Sequence, residues 1–147
     1  MSVTVDLCSP GDLASIDALW REAFPDDKLR HRAQNAVPAK LAFQPDLFLV
    51  ARDGGRVVGS IIAGYDGYRG HINRVAVLKA HRRQGVGVLL VREAEARLRA
   101  LGCTKINLQI RAANQAVVSF YHALGYDVEE HISMAKLIAS GDLPEAP

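Results

Sequence analysis

Apolar and polar positions along the chain alternate between two periods, and the switches mark its elements. The opening "SVTVDLC" alternates, which predicts an edge or outer strand. Ser9-Pro10-Gly11-Asp12 follows, with a capping side chain, a proline suited to the first helical position and an acid where a capping box places one. Leu13, Ile16, Leu19, Trp20 and Phe24 then recur at helical spacing and predict one buried stripe, interrupted at Pro25. Residues 26–45 keep neither period; one short helix, broken near Pro38, is expected inside this connection.

Leu47 to Ala51 form a near-continuous apolar run, as in a strand covered on both faces. Asp53-Gly54-Gly55 supplies residues that tolerate positive φ, so a hairpin is predicted with Val57 to Tyr65 as the return strand. A turn at "YDGYRG" leads to a further strand over 71–78. Helical spacing resumes over 85–101, where Leu90, Ala94, Leu98 and Leu101 share a face. Glu93 with Arg97, and Glu95 with Arg99, are predicted pairs on the wet side, and Gly102 is the left-handed cap. "TKINLQI" alternates as a strand. Asn114 caps a short helix carrying Val117, Phe120, Tyr121 and Leu124, which ends at Gly125. Two short strands are expected over "YDVEEHISMAKLI", then a frayed tail over 139–147. The order predicts an α/β (α+β) fold: a single mixed, mostly antiparallel sheet with flanking helices.

Composition narrows this picture modestly. At 147 residues the chain is read as one domain, 1–147. A net charge of +2 is too small to argue for nucleic acid. No signal-peptide pattern opens the chain and no apolar run spans a bilayer, so a cytoplasmic protein without membrane partners is expected. Cys8 and Cys103 stand at no paired spacing, and five scattered histidines show no ligand pattern, so neither a disulfide frame nor a metal site is expected.

The stretch "HRRQGVG", residues 81–87, carries the candidate chemistry. The first amides of a helix lack intrahelical acceptors and bear partial positive charge. Glycines at Gly85 and Gly87 let an anion approach that backbone, and Arg82 and Arg83 add mobile charge, an arrangement suited to phosphate or diphosphate. Val88 and Leu89 stand where a P-loop needs Lys and Ser or Thr, and Leu90 where a dinucleotide fingerprint needs a third glycine. By itself the pattern also fits a tight turn with solvated arginines.

Arg82-x-x-Gly85-x-Gly87 resembles the Arg/Gln-x-x-Gly-x-Gly/Ala motif of the GNAT superfamily of acyl-CoA-dependent N-acyltransferases. "NRVAVLKAHRRQGVG" is similar to that family's central strand running into its motif, and "NQAVVSFYHALGY" to its second conserved segment. The likeness spans residues 46–138, and "LFLVARDGGRVVGSIIAGYDGYRG" is similar to a small bacterial subgroup of acetyltransferases. The resemblance implies acetyl-CoA as co-substrate. Backbone amides from Gln84 through Gly85, Val86 and Gly87 to Val88 would hold the diphosphate, flanked by Arg82 and Arg83. Val75, Ala76 and Val77 would pair with the pantetheine arm where strands 71–78 and 104–110 splay apart, and Asn114 would touch the pantetheine or thioester end.

Amide formation from a thioester needs a neutral amine, a stabilised oxyanion and a proton for the departing thiolate. A main-chain N–H near Val77 is the oxyanion candidate, and Tyr121, matching the family's tyrosine, the proton donor. A tyrosine pKa near about 10, against about 8.5 for a thiol, is read as making that transfer downhill. The competing reading of Tyr121 is packing on the apolar face of its helix. The family often places a carboxylate on the central strand, but no Asp or Glu occurs between 69 and 78, which leaves His71, Asp66 or water as base. Cys103 reads as a small buried hydrophobe, so direct transfer in a ternary complex is expected.

Two other functions compete. A non-catalytic acyl-CoA sensor or regulatory module would explain the missing carboxylate. Nucleic-acid binding through Arg82, Arg83, Arg97 and Arg99 lacks interleaved aromatics and is broken by Glu93 and Glu95. The amine acceptor, small molecule or protein, is not legible. Lys28, Arg30, His31, Arg32 and Lys40 suggest either an acidic acceptor or a solvated basic face. A homodimer is a further expectation from the resemblance.

Overall fold

The structure, a computed structural model, describes residues 2–139; the rest of the expected frayed tail, 140–147, lies outside them. Five strands form one sheet in chain order: β1 (Val3–Leu7), β2 (Phe48–Asp53), β3 (Arg56–Tyr65), β4 (Gly70–Val77) and β5 (Ile106–Asn107). The first three pairings are antiparallel and β4–β5 is parallel, so the sheet is mixed as expected, with β1 at one edge. Helices α1 (Leu13–Ala23) and α2 (Ala33–Leu41) cover one face, and α3 (Val86–Ala100) the other; α4 (Gln115–Ala123) follows β5.

The period-2 geometry of strands explains the two cores. On β2, Leu49 and Ala51 pack with Leu90, Val91, Ala94 and Leu98 of α3, while Phe48 and Val50 pack with Ile16, Leu19 and Trp20 of α1 and Val37 of α2. Gly59 lets α3 lie close on the sheet: a Cβ there would sit 3.0 Å from both the Ala76 carbonyl and Leu90 Cδ1. The β2–β3 hairpin turns at Gly54 and Gly55, with φ of 58° and 86°, as their sequence predicts.

The entry to α1 uses one carboxylate twice. The Ser9 amide donates to Asp12 Oδ2 at 2.9 Å, in the expected capping box. Arg52 Nη1 and Nη2 donate to the same carboxylate at 2.9 and 2.8 Å, joining the helix start to β2. That guanidinium holds the Asp12 carboxyl below its ordinary range.

Several local expectations need correction. Pro38 does not break the helix of 26–45 but lies inside α2, because Ala33 and Val37 are buried against α1 and the sheet and override the propensity. Leu101 leaves the α3 stripe and is 52% exposed, since the helix ends at Ala100. Glu93 pairs with Arg97 at 3.0 Å as predicted, but Glu95 turns from Arg99 to Arg92 at 2.8 Å and to the Tyr126 hydroxyl at 2.7 Å. Strand 104–110 shrinks to Ile106–Asn107, and no strand forms over the described part of 126–139. Alternation over "YDVEEHISMAKLI" supplies a pattern but not the partner edge a strand requires.

Candidate active site

The mouth of α3 is a set of free donors. The first backbone bond into the helix runs from the Leu89 amide to the Gly85 carbonyl at 3.0 Å. Among the described residues, the amides from Gln84 to Val88 have no backbone acceptor. Gly85 adopts φ 80° and Arg83 φ 63°, so two left-handed residues fold the loop into a concave run of N–H groups. Val86 is buried and anchors the loop, whereas Gln84 and Gly85 are exposed. Upstream, His81 Nε2 lies 3.1 Å from Asp53 Oδ2, pinning the loop's entry to the β2–β3 hairpin.

The two arginines differ. Arg82 Nε donates to the Val77 carbonyl at 3.2 Å, so this side chain braces the loop against the end of β4. Arg83 is exposed. Gly87 faces α4: a Cβ there would meet Phe120 Cζ at 3.2 Å. This glycine therefore allows a close helix approach as well as a bare backbone.

Beside the loop, β4 and β5 separate. They pair only at Gly70–Ile106 and His71–Asn107, so β4 from Ile72 onward has no strand on that side. The gap is a cleft of about 440 Å³. Phe24, Asp26, Asp27, Arg74 and Val75 line it, facing Asn114 and Tyr121. Asn114 Oδ1 accepts from the Val117 amide at 3.4 Å, capping α4 as predicted. The structure thus brings Val75, Asn114 and Tyr121 to one cleft; His71 and Asp66 do not line it.

Tyr121 is 7% exposed, with edge-on rings of Phe120 and Tyr126 at 5.0 and 5.6 Å. No hydrogen bond to its hydroxyl occurs among the described residues, unlike Tyr126, which bonds Glu95. Burial pushes its pKa up to about 12. The expectation that donation to a thiolate runs downhill is reversed. A proton moves spontaneously to the base whose conjugate acid has the higher pKa, so even an ordinary tyrosine at about 10 gives its proton to a free thiolate uphill. Tyr121 therefore suits a hydrogen bond to sulfur as charge develops, with proton transfer completed late.

His71 is exposed as a residue, yet its ring is close enough to Gly64 that a Cβ there would clash with it. Lost water, and then the nearby Lys40 charge, lower its pKa. Asp66 is occupied by the Tyr68 amide, 2.8 Å from its Oδ1, and by the Arg69 amide. Cys103 is half-buried, its Sγ 3.2 Å from the Lys105 carbonyl. No group of three or more metal-ligating side chains occurs among the described residues. No helix among them is long and apolar enough to cross a membrane.

The acetyltransferase (GNAT) family profile matches residues 13–126, which include the α3 loop, the cleft and α4. The chain belongs to the GNAT family. An acetyltransferase of Sodalis glossinidius is 39% identical over 123 residues, covering 82% of this chain and 84% of the relative. One from Pectobacterium atrosepticum is 36% identical over 127 residues, covering 85% and 88%. Solved GNAT-fold neighbours include Ard1 of Thermoplasma volcanium, at 24% identity and a TM-score of 0.79 over 88% of this chain and 85% of that one. The PaiA N-acetyltransferase of Thermoplasma acidophilum, solved with coenzyme A, has 19% identity and the same TM-score of 0.79, over 90% and 94%.

Arg74 was not singled out from the sequence, although it lines the cleft of this GNAT protein together with residues 24–27. One signal was available: Asn73-Arg74 puts two polar residues in succession inside an otherwise alternating strand, which is how a bulge reads.

Proposed function

We propose that the protein is a single-domain, cytoplasmic N-acetyltransferase that moves an acetyl group from acetyl-CoA to a primary amine by direct attack in a ternary complex. The observation that carries this reading is the run of amides at 84–88 without backbone acceptors among the described residues, beside the edge of β4 that no strand covers. The amides suit the diphosphate of coenzyme A, with Arg83 as mobile charge and Arg82 as brace. The Val75–Val77 edge suits the amide-bearing pantetheine arm, which would add to the sheet like a strand. The PaiA neighbour, solved with coenzyme A, supports the same use of the fold.

In the reaction, the amine nitrogen bonds to the thioester carbon and the carbonyl oxygen becomes an oxyanion. A main-chain N–H near Val77 stabilises that charge. The C–S bond then breaks. Tyr121 hydrogen-bonds the departing sulfur and passes it a proton, and the new amide nitrogen sheds its extra proton through water, which restores the tyrosine hydroxyl. His71 and Asp66 stand outside the cleft lining, so the amine enters neutral or is deprotonated through water.

The sensor reading is favoured by one observation, the lack of either candidate base in the cleft lining. A panel of primary amines with acetyl-CoA, followed by release of free thiol, separates the two. Amine-dependent release is expected; tight coenzyme A binding with no release from any amine would establish the sensor.

A further inference from the structure

We propose that Arg74 is a positioning residue that clamps the segment after α1 onto the bulge of β4, fixing the acceptor wall of the cleft. The inference rests on the acetyl-transfer reading above.

The β3–β4 register runs Ile62↔Asn73 and then Ser60↔Ala76, so Arg74 and Val75 together oppose the single residue Ile61. This bulge changes the side-chain parity of the strand: Ile72 packs in the α3 core and Ala76 in the α1 core, although both are even-numbered. Arg74 takes up the irregularity with φ 54°, a left-handed conformation that a long side chain seldom adopts. Such a conformation persists only where its surroundings over-determine it.

Tethers reach Arg74 at both ends. Its carbonyl accepts from the Ser60 hydroxyl at 2.9 Å, and the Ser60 oxygen accepts from Trp20 Nε1–H, also at 2.9 Å. Its Nη1 and Nη2 donate to the two oxygens of Asp27 at 2.7 and 3.1 Å. The guanidinium carbon lies 4.4 Å from the Phe24 ring centre and 5.2 Å from that of Trp20. The side chains of Arg74 and Asp27 are only 16% and 9% exposed. A buried pair of this kind is weak evidence for net stability, because desolvation offsets the attraction, but its geometry is demanding.

The placement gives that geometry a use. Phe24, Asp26, Asp27, Arg74 and Tyr121 all line the cleft. Arg74 immediately precedes Val75–Val77, the edge assigned to the co-substrate. One side chain thus ties the donor-side strand to residues 24–27 beside it, the part of the cleft lining that this proposal gives to the amine. Loss of the clamp lets residues 24–28 move away from the bulge and blurs the acceptor's approach.

The test compares Arg74→Met, Arg74→Lys and Asp27→Asn with the parent, using acetyl-CoA and an amine from the panel. Arg74→Met and Asp27→Asn are each expected to raise the amine KM about tenfold or more, while the acetyl-CoA KM stays within about twofold. Arg74→Lys should recover part of the loss, and the Arg74→Met/Asp27→Asn pair should be no worse than either single change. An unchanged amine KM, or both KM values rising together with the fall in melting temperature, would overturn the clamp. If no amine supports turnover, the acetyl-transfer reading fails by itself. Amide exchange on protein saturated with coenzyme A then tests the clamp: Arg74→Met should speed exchange at residues 24–28 and leave 84–88 unchanged. Equal exchange at 24–28 would overturn it.

Discussion

The two halves of this sheet are built differently. In the half from β1 to α3 the central strands β2 and β3 are covered on both faces, and Phe48, Leu49, Val50, Val58 and Ile61 have no exposed surface. From residue 101 to 139 Tyr121 is the single buried residue. There β5 is two residues long, and Val128, Ile132 and Met134 are 84%, 91% and 90% exposed. The closed half anchors the amide loop through Val86 packed in the α3 core and His81 on the hairpin. The open half leaves the gap in which the cleft lies. The run of free amides is held where packing is complete, and the cleft opens where pairing stops.

The sharpest way to break this contrast is a truncation in each half. Phe48→Ala is expected to lower unfolding stability by about 3–5 kcal/mol, and Val128→Ala to change it by no more than about 0.5 kcal/mol. Urea melts with equal m-values would measure both; a large loss at Val128 would show that 126–138 is packed in solution. Next in size, Tyr121→Phe should reduce kcat by about 100-fold with little change in coenzyme A affinity or melting temperature. An unchanged kcat would return Tyr121 to a packing role, for which its ring contacts are sufficient.

Gly87 tests where the halves meet. Gly87→Val pushes on Phe120 and should weaken coenzyme A binding about tenfold or more by calorimetry, with Gly87→Ala intermediate. Unchanged affinity would separate α4 from the binding loop. The smallest effect concerns pH. Burial raises Cys8 from 9.0 to about 12 and Tyr121 from 10.0 to about 12. For both groups the folded state keeps a proton that the unfolded chain gives up. Their contribution is whole below about pH 9 and is lost as pH climbs towards 12. Cys8→Ala should flatten the alkaline limb between pH 9 and 11 relative to the parent, beyond any constant offset. Asp12 acts with the opposite sign: its lowered pKa contributes above its ordinary value of 3.8 and is lost as pH falls below it.

Much of the fold was legible because its signals are local. Asp53-Gly54-Gly55 can turn without a neighbour's help, Leu90, Ala94 and Leu98 mark one face of a helix, and Asn114 and Gly125 punctuate another. The amide loop was legible for the same reason. What failed depended on distant partners. Pro38 sits inside α2 because Ala33 and Val37 are buried against other elements. Glu95 leaves Arg99 for the hydroxyl of Tyr126, 31 positions away, as well as for Arg92 one turn back on its own helix.

By itself the sequence determined the element order as far as α4, the hairpin, the caps and the run of free amides at the mouth of α3, all properties of residues a few positions apart. Only the tertiary structure decided where β4 and β5 part, which face Ala76 joins after the bulge, and that Asp27 reaches Arg74 across 47 positions. These depend on which backbone edges find partners and which charges are buried together, and alternation along one chain carries no record of its neighbour.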